Sequence, residues 1–414
     1  MSEWRKLPLK EITVKIGSGS TPTGGSGAYK ETGVSLIRSQ NVLDFSFTNN
    51  GLAFIDEEQA HALRNVIVEP QDVLLNITGD SVARCCSAPR EWLPARVNQH
   101  VAIIRANPKH LDSLFLKYSL ISIKDELLSL SEIGGTRNAL TKSMLENLKL
   151  FVPSVIEQKA IASVLSSLDD KIDLLHRQNK TLESMAETLF RQWFIEETHA
   201  DWEITTLDCH ITVAKGLSYK GAGLTTSDNG IPLFSLNSVL EGGGYKSAGI
   251  KYYNGDFKER HIIKPGDIIV ANTEQGHEYR LIGYPAIIPK TESGLSIYTH
   301  HLFKISINDD SYLTNAFLYY LLCSKDMHEQ VVAATNGSTV NQLSADGLQR
   351  PEFKLPPECM VKEFTTQIDF FWKKISINNS QIKNIESLRD TLLPKLMSGE
   401  VRVQYAEEAI ASVA

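Results

Sequence analysis

The sequence predicts an α+β protein. Two β-rich α/β domains are separated by two long helices that form an antiparallel coiled coil, and the halves are related by a pseudo-twofold internal repeat. Three observations predict this. The chain matches itself when displaced by roughly 200 residues. Each copy carries short β-branched runs bounded by Pro, Gly or Asn. Each copy then closes on a long segment with heptad spacing.

The repeat is visible residue by residue. Glu3-Trp4 answers Asp201-Trp202, and Pro70-Gln-Asp72 answers Pro265-Gly-Asp267. Thr78 matches Thr273, His100 falls on His301, Tyr118 on Tyr320, and Asn138-Ala-Leu140 on Asn341-Gln-Leu343. Beyond that point the copies run without a gap: Pro153 meets Pro356, Lys171-Ile172 meets Lys374-Ile375, and Glu183-Ser184 meets Glu386-Ser387. Within the copies, residues 66–68, 73–77 and 101–104 read as strands, as do 262–263, 267–270 and 302–305. Residues 114–130 and 312–332 are longer and apolar at three-to-four spacing, which predicts helices. The Gly-, Ser-, Thr- and Asn-rich stretches 17–27, 134–138, 216–230 and 336–341 are loops, where binding usually resides.

Ser154-Val-Ile-Glu157 is a capping-box pattern that opens the first long helix. Its seam is Ile161, Leu165, Leu168, Ile172, Leu175, Asn179, Leu182, Ala186, Leu189 and Trp193. The second seam is Phe364, Ile368, Phe371, Ile375, Asn378, Ile382, Ile385, Arg389, Leu392 and Leu396. Each seam holds one central Asn. An unpartnered buried Asn costs roughly 1–3 kcal/mol, so the expected register sets Asn179 against Asn378. Ile161 then faces Leu396, Leu175 faces Ile382, and Trp193 faces Phe364. Two residues strain this picture. Pro394 is expected to kink or end the helix near Leu393, and Arg389 is expected to snorkel out of the seam. Met185, Phe190 and Phe194 lie off the seam and could serve the domain cores or a docking surface.

Composition narrows the function. The 414 residues suffice for two cores. The N-terminus has no apolar signal region and no run approaches a membrane span, so a cytoplasmic protein without membrane contact is expected. The five cysteines, Cys85, Cys86, Cys209, Cys323 and Cys359, form no CxxC pair and are expected to be free thiols, with no metal bound. The net charge of −7 counts against a nucleic-acid binder, although a net figure hides local patches. No phosphate loop, no Asn-Pro-Pro-aromatic motif and no HExxH is present, so no catalytic residue is assigned. Asp72 and Asp267 could suggest a nuclease carboxylate, but each follows Pro-x and precedes an apolar strand. A turn acceptor is the expected role.

The chain resembles the type I restriction–modification specificity subunits, the HsdS family. Phe151-Val-Pro-Ser-Val-Ile-Glu-Gln-Lys-Ala-Ile-Ala-Ser-Val-Leu resembles the opening of that family's central conserved region, and Leu182-Glu-Ser-Met-Ala-Glu-Thr-Leu-Phe-Arg-Gln-Trp-Phe resembles its end. Leu392-Leu-Pro-Lys-Leu-Met-Ser-Gly-Glu-Val-Arg-Val resembles the C-terminal signature, and Gly17-Ser-Gly-Ser-Thr-Pro22 the early Thr-Pro turn. The second copy lacks that turn at Gly216-Leu-Ser-Tyr-Lys. The resemblance implies target-recognition domains at 1–153 and 198–356, conserved helices at 154–197 and 357–400, and a tail at 401–414. It implies a specificity subunit that does no chemistry itself. Its partners would be double-stranded DNA, two adenine methyltransferase subunits and restriction motor-nuclease subunits. S-adenosylmethionine, ATP and Mg2+ would be bound by those partners and not by this chain.

Reading DNA requires Arg, Asn, Gln, Ser and Thr on loops that reach base edges. In the first copy the candidates are Arg38, Ser39, Gln40, Asn41, Thr78, Asp80, Ser81, Arg84, Asn98, Gln99, Thr136, Arg137 and Asn138. In the second they are Ser235, Asn237, Asn272, Thr273, Gln275, His277, Tyr279, Arg280, Thr299, His300, Thr339 and Asn341. Ordinary turn chemistry would use the same residue types, and His100 and His301 could be structural. Because the two sets differ, the expected target is asymmetric and bipartite, with an unread gap. The alternative is a duplicated β-rich scaffold that binds protein or sugar through its loops.

Overall fold

The computed structural model describes residues 4–22, 24–132, 138–246, 249–276, 278–290, 294–337 and 340–403. The chain forms two compact units, and the division runs through both long helices. One unit is Met1–Arg177 with Asn378–Ala414; the other is Gln178–Ile377. Each unit therefore contains one globular part and a half of each helix.

In the first unit, strands Thr13–Ser18, Val101–Ala106, Val73–Asn76 and Cys85–Ser87 form an antiparallel sheet in that order. A second sheet has the order Ala53–Ile55, Val34–Ile37, Ala95–Val97, Ile67–Val68, and its central pair is parallel. Side chains alternate across a strand, and here both faces are covered. Val73, Leu75, Cys85, Ala102 and Ile104 share a core with Phe115 and Leu116 of helix Ser113–Ser122. Leu74, Cys86, Val101 and Ile103 enter a core with Leu36, Ile37 and Val97 of the second sheet. This explains why the strands read as unbroken apolar runs, and why the adjacent Cys85 and Cys86 are both buried as free thiols. Burial pushes the Cys86 thiol up to about 12.

The second unit repeats the plan. Strands Ile211–Lys215, Leu302–Ile307, Ile268–Ala271 and Pro285–Ile287 form the antiparallel sheet. The other sheet is Leu224–Thr225, Lys251–Tyr253, Ile231–Phe234, Ser296–Tyr298 and Ile262–Ile263, again with a parallel pair. Ile268 and Val270 face one core, Ile269 and Ala271 another. The expected helices each break once, into Ser113–Ser122 and Lys124–Glu132, and into Asn315–Cys323 and Lys325–Ala333. In the second unit the break is at Ser324, whose extended backbone no helix admits.

The first long helix runs Val155–Arg191 and continues as a π turn over Gln192–Glu196. Ser154 Oγ accepts the Glu157 amide, as the capping box requires. The second runs Glu358–Met397. In the first unit, Ile161, Leu165, Leu168, Ile172 and Leu175 share one core with Ile382, Ile385, Leu392 and Leu396. In the second unit, Trp193 meets Phe364 with ring centroids 6.3 Å apart, the layer the register expects. Off the seam, Phe190 and Phe194 pack on Phe317, while Met185 stays exposed.

Two expectations are corrected. The helix does not stop near Leu393 but passes Pro394 and ends at Met397. The proline disturbs only a last turn, which buried Leu393 and Leu396 hold to the core and the Ser398 amide closes on the Pro394 carbonyl. Arg389 does not snorkel outward. It is buried, 3.2 Å from Asp169 Oδ1, bonded to Asp390, and stacked 3.6 Å over the Phe45 ring.

Candidate nucleic-acid interface

In the first unit the turns that follow the sheet strands converge. Gly19 approaches strand Ala95–Val97 so closely that a Cβ would lie 1.7 Å from the Val97 carbonyl oxygen, and its amide donates to Asn98 O. This brings the loop after the first sheet strand against residues 98–100. Asn76 Nδ2 donates to Ser39 O and Ser81 Oγ, which joins the turns at 38–41 and 78–81. Gly79 N donates to Asn138 O and Leu140 N to Ile77 O, which adds a third chain segment. The turns carrying the described candidates of this unit are thus brought together, while Thr136 and Arg137 lie outside the described residues.

Burial sorts the candidates. Asn41 is buried and accepts from Arg38 N while donating to Thr48 O and Asn50 O; Asn98 is buried and accepts from His100 N. Both shape the turns and are withdrawn as base-reading groups. Arg38 and Ser39 are half-buried, as are Thr78, Ser81 and Arg84, whereas Gln40, Asp80, Gln99 and Asn138 are exposed. Arg38 is held by the Gly51 carbonyl and the Tyr29 ring, and Gln40 Nε2 donates to the same carbonyl. Thr78 Oγ1 bonds to His100 Nδ1, His100 Nε2 to Gln99 Nε2, and Gln99 Oε1 to Thr21.

The second unit gathers its loops at the corresponding place. Gly216 is pressed against the carbonyls of Tyr298 and Thr299, 2.5 and 2.4 Å from where a Cβ would sit. Thr273 Oγ1 bonds to His301 Nδ1 at 3.0 Å, the counterpart of Thr78–His100. Strand Thr273–Gln275 pairs with Val340–Gln342, where the described residues of the first unit show a Thr78–Ala139 bridge. Ser235, Asn272, Thr273, Thr299 and Asn341 are buried. Ser235 Oγ donates to Gly249 O, Asn272 Nδ2 to His300 O, and Asn341 Nδ2 to Gly276 O. These five are also withdrawn as base-reading groups. Asn237, Gln275 and Arg280 are exposed, and Tyr279 and His300 are half-buried. Arg280 is balanced by Glu278 and Glu241. Glu274 accepts the Arg280, Leu281 and Ile282 amides and so fixes that turn. His277 and Thr339 lie outside the described residues.

Sequence reasoning missed Thr21, Gly19 and Tyr29 in the first unit, and Lys215 and Lys251 in the second. Burial, and then the charges of His300 and of these two lysines, hold the His301 imidazole below its usual range. The Gly-Ser-Gly-Ser-Thr-Pro motif was the available signal for Thr21. Asp72 and Asp267 are turn acceptors, as expected. Each takes a backbone amide, from Glu69 and Lys264, and each pairs with a cation of the neighbouring strand, Arg105 and Lys304. Among the described residues no helix is long and apolar enough to cross a membrane.

Two copies of one α+β fold, each with its own polar loop cluster, define a duplicated protein with one candidate interface per unit. Residues 1–184 match the family model of the type I restriction modification DNA specificity domain. The MjaIX specificity subunit of Methanocaldococcus jannaschii is 26% identical over 428 residues, covering 97% of this chain and 94% of that protein. The EcoBI specificity subunit of Escherichia coli is 22% identical over 210 residues, 51% of this chain and 40% of the relative. The S subunit of a type I restriction–modification system from M. genitalium shares the fold, with a TM-score of 0.58 at 14% identity over 95% of this chain and 96% of that one. The chain is similar to type I restriction–modification specificity subunits, over residues 1–184 by the family model and over nearly its whole length by the MjaIX relative.

Proposed function

We propose that this chain reads an asymmetric, bipartite site on double-stranded DNA and positions adenine methyltransferase and nuclease-motor subunits on it, without chemistry of its own. One observation carries the reading. The same fold occurs twice and gathers polar loops at the same place each time, but the exposed side chains differ: Gln40, Gln99 and Asn138 in one unit, Asn237, Gln275 and Arg280 in the other. Equal scaffolds with unequal loops suit two different half-sites instead of a palindrome. Half-sites read from one face of B-DNA lie about 35 Å apart, one helical turn. In this reading the paired helices, with Asn179 against Asn378 as the expected register, set the unread gap. S-adenosylmethionine, ATP and Mg2+ belong to the partner subunits.

Methylome sequencing of a host that carries the system tests the reading. The expected product is a methylated adenine motif in two unequal parts with an unread interval. A continuous or palindromic motif overturns it.

A further inference from the structure

The histidine matched in the two copies has the same anchor in both. His100 Nδ1 meets Thr78 Oγ1, and His301 Nδ1 meets Thr273 Oγ1. In each unit the residue just before that histidine stands at the mouth of the loop cluster: exposed Gln99 in one, half-buried His300 in the other. Both are braced by the anchored ring. Gln99 Nε2 lies 3.0 Å from His100 Nε2, and the His300 ring stands 3.9 Å from that of His301.

The hydrogen-bond inventory of Gln99 then decides what it can offer. A primary amide has two N–H donors and two carbonyl lone pairs. One N–H is used on His100, which requires that Nε2 accept and that Nδ1 carry the proton given to Thr78. One lone pair is used by the Thr21 hydroxyl. One N–H and one lone pair remain on this exposed planar group, and turning the amide over leaves the same two. That pair complements the N7 acceptor and N6 donor of adenine in the major groove. A loose glutamine would sample several rotamers; Thr21 and His100 clamp this one from both ends.

His300 cannot make the same contact. An imidazole places its two nitrogens on separate edges, and the buried His300 Nδ1 has no hydrogen-bond partner among the described residues. We propose that residues 99 and 300 are corresponding specificity positions, that Gln99 reads an adenine edge, and that the substitution between them makes the two half-sites differ. The inference rests on the DNA-reading function proposed above and assigns it to particular atoms.

The test uses the full chain, purified with its methyltransferase partner, and a randomised duplex pool. Gln99→Ala is expected to lower the preference for adenine at one position of one half-site by roughly 5- to 150-fold, the range of a bidentate base contact, and to leave the other half-site unchanged. Gln99→Glu replaces the donor by an acceptor and is expected to move that position toward cytosine, whose N4 donates. This gained preference can appear only in a folded protein. A motif unchanged by both variants overturns the assignment of Gln99 and leaves the DNA-reading function intact. A wild-type complex that selects no motif overturns both.

Discussion

The buried charges of the first unit make a quantitative prediction. Asp169 accepts from Tyr118 Oη at 2.6 Å, Lys117 Nζ at 3.0 Å and Arg389 Nη1 at 3.2 Å. The Lys117 side chain is only 6% exposed and that of Arg389 10%. Asp169→Ala leaves Arg389 its bond to Asp390 and its seat on Phe45. Lys117, however, keeps only the Tyr118 ring at 4.1 Å. Removing one member of a buried ion pair costs about 3–5 kcal/mol. In a unit of this size each kcal/mol lowers the melting midpoint by about 2–4 °C, so a fall of about 6–20 °C is expected. The second unit contains the apolar solution to the same site. Tyr319, Tyr320 and Trp372 stand where Lys117, Tyr118 and Asp169 do, and Ala186 where Arg389 does, with Trp372 packed on both tyrosines. The triple variant Lys117→Met, Asp169→Leu, Arg389→Met should therefore recover most of the loss, since well-packed apolar groups can replace a buried ion pair at little cost. Hydrogen exchange during thermal unfolding, read peptide by peptide, assigns the effect to a unit. A loss under about 1 kcal/mol, or one shared equally by peptides of the second unit, would refute the argument.

Other outcomes follow from the same geometry. Asp72→Asn breaks a two-bond pair between the fully buried Asp72 and Arg105 and should cost about 3 kcal/mol in urea unfolding, whereas Asp267, itself 23% exposed and joined to Lys304 by one contact, should cost about 1 kcal/mol as Asp267→Asn. A nuclease carboxylate would show the reverse pattern, with stability kept and cleavage lost. Phe364→Ala empties the space shared by Phe190, Phe194 and Tyr320 and should destabilise the second unit by about 3–5 kcal/mol, measured by the same exchange experiment. Burial, and then the charge of Asp267, pushes the Tyr298 phenol up to about 12, and burial also raises Tyr118, Tyr319 and Tyr320. For Tyr298 the raised folded value means that its stability is complete below about pH 10, the unfolded value, and is lost as pH climbs through about 12; the other three act in the same direction. An alkaline titration of the unfolding midpoint checks this. The lowered His301 acts in the opposite sense: its contribution is complete above about pH 6.5 and is lost as pH falls through the depressed value.

The sequence by itself determined the duplication, the short β-branched strands, the two heptad seams and the Trp193–Phe364 layer. Each of these is a local pattern or a fixed spacing, and backbone geometry turns such spacing directly into a face. It also placed Asp72 and Asp267 correctly, because a turn acceptor acts on an amide only three residues away. Only the tertiary structure separated Asn41, Asn98, Ser235, Asn272 and Asn341, which hold the turns, from Gln40, Gln99, Asn237 and Gln275, which face solvent. Both groups have the same composition, and burial depends on what packs from distant parts of the chain. Arg389 shows the same limit. Its sequence neighbours predicted an outward side chain, but Asp169 and Phe45, far away in sequence, make a buried cation stable. Thr21 came to Gln99 for a related reason: the close approach of Gly19 to Val97 is a contact between loops that no local pattern records.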